Sequence, residues 1–167
     1  QPIQKYLKVN NWQMRDSNWS ADFPTTAQKV ENFYHLQGGR EEFDGVIAVN
    51  ASVLPDLLEL IGPVYLEKYD KEFNSENVLY ELEYEVEKGY VQRSISEGNR
   101  KEVFKALVEE VAEKMAVENI ADILQYKDFA FDQLERKNII LYFDNSDIQE
   151  KASQLGWTGQ INENYAY

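Results

Sequence analysis

Apolar residues recur along this chain with two different periods, and each change of period marks a new element. In "TTAQKVENFYHLQGG", Val30, Phe33, Tyr34 and Leu36 give a helix an apolar side. Thr25 or Thr26 can cap its start, and Gly38-Gly39 can end it in a left-handed turn. "FDGVIAVN" follows as a short β-rich run of the kind buried in a sheet. Asn50 then caps "ASVLPDLLELIG", where Leu54, Leu57, Leu58 and Ile61 share a face. Pro55 falls in the first turns of that helix, where it is tolerated. Gly62-Pro63 stops the helix, and "VYLEKY" reads as another strand. This strand–helix–strand passage resembles a compact βαβ unit, with the direction of pairing left open.

"NSENVLYELEYEVEKGYVQ" carries both periods. Glu81, Glu83, Glu85 and Glu87 alternate with Leu82, Tyr84 and Val86, as in a strand. Its capping residues and Glu-rich composition favour a helix, which is the expectation adopted. "NRKEVFKALVEEVAEKM" lines Phe104, Leu107, Val108, Val111 and Met115 along one helical face, with charges opposite. A further helix, "IADILQYKDFAFDQLER", precedes the buried-type strand "NIILYF" and the capped short helix "NSDIQEKASQLG". "WTGQI" then starts an extended segment. The expected fold class is α/β, or mixed α+β, with a small central sheet flanked by helices.

The chain has 167 residues, enough for one domain with a sizeable core, and residues 1–167 are read as that single domain. It has no internal repeats and no interdomain linker. Its 11 tyrosines argue against disorder. A net charge of −13 leaves no uniform basic track for phosphate backbones, so no nucleic acid partner is expected. The same acidity serves solubility and opposes anionic membrane surfaces. Absence of cysteine excludes disulfides and thiolate metal sites. The one histidine, His35, is read as a partly buried structural residue, so zinc is not expected. No apolar run is long enough to span a bilayer, and "QPIQKYLKVNNW" lacks the regions of a signal peptide. The end, "GQINENYAY", reads like strand sequence cut short, so a piece of a longer protein is expected, with any anchor outside it.

Candidate chemistry is sparse. The chain has no Gly-x-Ser-x-Gly elbow, Walker loop or dinucleotide loop. "QGGRE" follows a helix and reads as its stop. Asp144 and Asp147 in "DNSD" read as a strand end and a helix cap, since an EF-hand's glycine and distal glutamate are missing. Asn18-Trp19-Ser20 and Asn50-Ala51-Ser52 match the glycosylation sequon, a weak signal without a eukaryotic secretory context. Arginine is scarce: Arg15, Arg40, Arg93, Arg100 and Arg136 are the full set. A few guanidinium groups that converge can hold an anion through paired hydrogen bonds, even in an acidic protein. Arg15 precedes Asp16 at a turn, and Arg100 opens a long helix, whose N–H groups favour anions as well. Each arginine can instead pair with a nearby surface carboxylate.

"MRDSNWSADFPTTAQ" therefore keeps two readings. As a polar turn, Asn18, Ser20 and Asp22 accept backbone hydrogen bonds, Trp19 and Phe23 anchor the loop on the core, and Pro24 sets up the helix. As the rim of an anion site, Arg15 and Asp16 are the members expected to meet a ligand.

The segments "RDSNWSADFPTTAQ", "FDGVIAVNASVLPDLLELIGPV", "NSENVL", "NRKEVFKAL" and "GWTGQI" occur in an order that resembles a bacterial family, domain of unknown function 4012. Members are typically large envelope proteins with a transmembrane segment ahead of the domain. The resemblance implies an extracytoplasmic, membrane-anchored place in the bacterial cell envelope and supplies no reaction. The layout is also faintly similar to the LytR-CpsA-Psr phosphotransferases, which move glycopolymers from a polyprenyl pyrophosphate carrier to the wall. Matching positions are Arg15-Asp16, "GVIAVNASVLPDLLELIGPV" and Arg100 in "NRKEVFKAL". The Arg-x-Asp-Thr segment of those enzymes has no counterpart, and Pro63 stands where they carry glycine.

Two functions follow as expectations. The first is a non-catalytic envelope domain, a surface scaffold or a polymer-binding module whose partners are envelope components or a glycopolymer and which needs no cofactor. The alternative is a phosphotransferase-like domain, or a degenerate relative, that binds a pyrophosphate-linked lipid. There the resemblance implies Arg15 and Arg100 as a diphosphate clamp and Asp16 as the group orienting a metal, with magnesium the candidate, or an arginine. The apolar helix Val53–Ile61 would wall a lipid tunnel. Electrostatic clamping is what phosphoryl transfer requires of a protein.

Overall fold

A computed structural model of the chain describes Trp12, residues 14–116 and residues 119–161. Among them are six α-helices and two small antiparallel sheets, a mixed α/β architecture. The chain forms two compact units, Gln1–Val49 with Gln133–Tyr167, and Asn50–Asp132.

In the first unit, helix α1 (Phe23–Leu36) starts where Asp22 accepts a hydrogen bond from the Thr25 backbone N–H at 3.0 Å. Asp22, not a threonine, is the cap, and Pro24 sits in the first turn where a missing N–H costs nothing. Past the other end, Gly38 takes φ +95°, as the expected left-handed stop requires. Strand β1 (Gly45–Val49) pairs antiparallel with the last strand, β4 (Ile139–Phe143). Val46, Ala48, Ile140 and Tyr142 on one face of this ribbon pack with Phe23 and Ala27 of α1. Any side chain at residue 45 would run into the Tyr142 carbonyl, so Gly45 permits the close approach of the strands. Helix α6 (Ser146–Gln154) is capped by Asn145, which accepts from the N–H groups of Asp147 and Ile148 at 3.1 Å each. "WTGQI", expected as extended, begins instead as a turn through Trp157 and Thr158. Gly156 takes positive φ there, and the Trp157 carbonyl accepts from Leu141 on the edge of β4 at 2.8 Å.

The second unit holds helix α2 (Val53–Ile61), strands β2 (Val64–Leu66) and β3 (Lys71–Phe73), helix α3 (Val78–Tyr84) and helix α4 (Glu102–Lys114). Helix α5 (Ile120–Glu135) begins in it. Helix α3 runs on through a π-helical turn, Glu85–Gly89, into the short piece Tyr90–Gln92. The core joins Leu58 of α2, Val64 and Leu66 of β2, Phe73 of β3, Val78, Leu82 and Val86 of the α3 run, and Val103, Leu107 and Val111 of α4.

Three expectations change. One central sheet becomes two ribbons, because β1 pairs with β4 while β2 closes a local hairpin with β3 around Asp70 at φ +48°. The βαβ unit is therefore not formed. The buried seam of α4 is Val103–Leu107–Val111, rotated from the expected one: Phe104 and Val108 are 42% and 61% exposed. Both stripes are apolar at helical spacing, so periodicity does not separate them. The α3 run is helical as expected, since Val78, Leu82 and Val86, four residues apart, all reach the core.

Candidate functional site

Arg15 and Asp16 lie in a short 3-10 turn, Met14–Asp16, closed by the Ser17 N–H on the Met14 carbonyl at 3.0 Å. The side chain of Arg15 falls outside the described residues. Arg100 follows the 3-10 turn Glu97–Asn99, and its guanidinium lies 3.8 Å from a Glu87 carboxylate oxygen. Arg15 and Asp16 belong to the first unit and Arg100 to the second, so neither unit alone holds all three. The apolar face of α2, expected to wall a tunnel, is spent on the second unit's core through Leu54, Leu57, Leu58 and Ile61. Asp144 directly follows β4, as expected, but the cap of α6 is Asn145 and not Asp147, which lies in the first turn of the helix. His35 is exposed, with Nδ1 3.2 Å from the Gly39 carbonyl.

The most tightly held polar cluster is one that no sequence signal singled out. Glu85 is buried in the second unit, its side chain 1% exposed. Arg93 grips it with two hydrogen bonds of 2.9 and 3.1 Å, and Lys71 donates to it at 2.8 Å. Lys71 also pairs with Glu81 and lies over the Tyr84 ring, while Arg93 lies over Tyr69. Burial alone would raise the Glu85 pKa, but the bonds from Arg93 and Lys71 outweigh it and hold the carboxyl below its ordinary value. For Lys71, burial works downward and the two glutamates prevail, so the ammonium is held above its ordinary value. The π-helical turn makes room for this: a Cβ at Gly89 would sit 2.2 Å from Glu85 Oε2. Both oxygens of Glu85 are thus engaged by side chains of its own unit.

A second carboxylate is less well served. Glu31, on α1, has a buried Oε1 without a hydrogen-bond partner among the described residues. Burial first, and then the charge of Asp144, push its pKa up.

The turn before α1 builds a site of a different kind. Trp12 and Trp19 meet edge to face with ring centroids 5.0 Å apart. Trp19, expected to anchor on the core, is 70% exposed, and Trp12 is 42% exposed. Asp16, Lys29 and Phe33 complete a pocket of about 300 Å³ around them. One α1 turn separates Lys29 from Phe33, which places both on the face toward the tryptophans. Indoles left in water forgo the burial free energy that large aromatics otherwise supply. An exposed aromatic pair rimmed by one carboxylate and one ammonium is the composition of a recognition surface.

The same unit contains a larger cleft of about 1080 Å³, lined by Ser20, Asp22 and Thr25 at the start of α1 and by Lys137, Ser153 and Thr158 among others. Asp22 spends both oxygens there, accepting from Thr25 and from the Ile161 N–H at 3.0 Å. Burial tends to raise its pKa, and those hydrogen bonds bring it below the ordinary value. Among the described residues, no group of three or more His, Asp or Glu side chains is placed to hold a metal ion.

Residues 1–86 match a family model described as a protein of unknown function, DUF4012. The chain belongs to the DUF4012 family. The DUF4012 match includes every lining residue of the aromatic pocket, as well as Lys71 and Glu85. Arg93, Arg100 and the Lys137 side of the cleft lie beyond it. No curated protein and no solved structure matches the chain.

Proposed function

We propose that this domain is a non-catalytic binding module of the bacterial cell envelope that holds a saccharide polymer on the Trp12–Trp19 pocket. One observation carries the reading: two indoles, edge to face and open to solvent, stand beside Asp16 and Lys29. The C–H faces of a sugar ring carry partial positive charge and suit the negative face of an indole, while carboxylate and ammonium groups hydrogen-bond its hydroxyls. Asp16 thus keeps a ligand-binding role, toward hydroxyls in place of a diphosphate. The extracytoplasmic location is supported by the place that DUF4012 domains typically occupy. No described helix is long and apolar enough to cross a membrane.

The test is co-sedimentation of the protein with purified peptidoglycan sacculi that retain their wall polysaccharide. Wild type is expected in the pellet. Trp19→Ala is expected to bind about tenfold more weakly, since one aromatic platform contributes about 1.4 kcal/mol. Equal sedimentation of the two proteins would overturn the reading.

A further inference from the structure

The aromatic pocket and the polar cleft belong to one unit, and two features join them. Trp19 lines the pocket and Ser20, its neighbour in the chain, lines the cleft. On α1, Thr25 lines the cleft, and Lys29 and Phe33 line the pocket. These three are spaced four residues apart, so they follow one face of the helix in steps of about 6 Å. The two hollows are successive stretches along that face.

Their chemistry is complementary. The pocket offers stacking surfaces. The cleft is lined by the hydroxyls of Ser20, Thr25, Ser153 and Thr158; Thr25 donates its proton to Asp22 and Ser153 donates its proton to Gln160, so these two meet a ligand as acceptors. Lys137 gives one of its three N–H donors to the Gly156 carbonyl at 2.6 Å. Gln160 accepts from Ser153 through Oε1 at 2.8 Å, which leaves its amide N–H groups for other acceptors. Among the described residues, each hollow is lined by one carboxylate and one ammonium, Asp16 with Lys29 and Asp22 with Lys137. Neither therefore selects for charge, and the chain's net charge of −13 disfavours an acidic polymer.

We infer that the cleft is a second subsite, and that the ligand is an uncharged, polyhydroxylated chain of several sugar residues, stacked at the tryptophans and hydrogen-bonded in the cleft. This inference rests on the proposed saccharide binding and extends it to chain length and charge class.

The experiment is calorimetric titration of the full chain with neutral β-1,4-linked glucose and N-acetylglucosamine oligomers, from monomer to hexamer. Affinity is expected to rise at least tenfold from monomer to tetramer and to change little with salt. Lys137→Gly with Gln160→Ala is expected to abolish that gain while single-sugar binding persists. Lys137 has φ +60°, so glycine suits its backbone. Gln160→Ala alone, at an exposed position, is expected to give part of the loss should the pair misfold. Length-independent binding, a full gain in the variants, or a steep fall with salt would overturn the inference while leaving saccharide binding intact. Sacculus binding without binding of any oligomer would overturn the inference alone. Failure to bind either would overturn the proposed function with it.

Discussion

The two units differ in what they do with their side chains. Asn50–Asp132 buries a continuous core from Leu58 to Val111, and closes its internal charges on one another around Glu85. It also carries 19 of the 30 acidic residues against nine of the 17 basic ones. Among the described residues the other unit has a smaller apolar cluster, Phe23, Ala27 and Tyr142, with Leu134 and Ala152 buried apart from it; it is closer to charge balance and holds both the aromatic pocket and the polar cleft. The difference teaches a division of labour. Packing and acidity are concentrated where the described structure offers few unsatisfied groups. The proposed recognition surface lies in the other unit, where aromatic surface stays in water.

The sharpest break in this comparison is at Glu85. Glu85→Ala leaves Lys71 and Arg93 without their buried partner and is expected to cost about 3–5 kcal/mol in urea unfolding. Replacing all three residues by apolar ones of similar volume is expected to recover most of that loss. The pH dependence has a definite sign. The Glu85 pKa is lowered on folding, so its contribution is present above the ordinary carboxylate value and is lost as pH falls through the folded value. An acid limb of unfolding unchanged by Glu85→Ala would remove the cluster from the account of stability.

How much of this was readable beforehand depends on how local each determinant is. The stop of α1 and the place of Pro24 at its entry were legible, because Gly38 and Pro24 act within a turn of themselves; the cap was not, since Asp22, Thr25 and Thr26 all carry a capping oxygen. A capped short helix at α6 was legible too, though its cap is Asn145 where Asp147 was expected. Strand partners were not: Gly45 finds Phe143 almost a hundred residues away, and nothing local encodes that pairing. Strand β3 was missed because "KEF" sends only Phe73 inward. The Glu85 cluster hid within a period-two run of glutamates, where four like residues gave no hint that one is buried. Gly89, three residues from the last of that alternation's apolar members, was the one available signal, since glycine inside a Glu-rich helix marks a close approach. At the candidate site, "MRDSNWS" drew attention to Arg15 and Asp16 by their charge. Trp19 instead meets Trp12, seven residues back, and stays exposed, a contact that no turn rule anticipates.

Glu31 tests the first unit in the opposite direction. Its pKa is raised on folding, so the protonated form fits the native state better. Its effect therefore favours folding below the ordinary carboxylate value and declines as pH rises through the folded value. Glu31→Gln removes the charge beside Asp144 and is expected to stabilise the protein by about 1 kcal/mol at neutral pH. The gain should vanish in acid, where the wild-type side chain is itself neutral. Thermal unfolding of both proteins at neutral and acidic pH checks this. A gain that persists unchanged in acid would place its origin elsewhere than in the charge.

The smallest expected change in stability belongs to the residue with the largest expected role in binding. Trp19 stands 70% in water and touches Trp12, itself partly exposed, so its native contacts replace little hydration. Trp19→Ala should shift unfolding free energy by no more than about 0.5 kcal/mol, the ordinary scale for a surface substitution. The comparison between units depends on that number. If the variant unfolds as wild type does and yet releases the sacculus, the tryptophan pair is a surface held open for a ligand. If its unfolding free energy falls by several kcal/mol, the pair is part of the first unit's core after all.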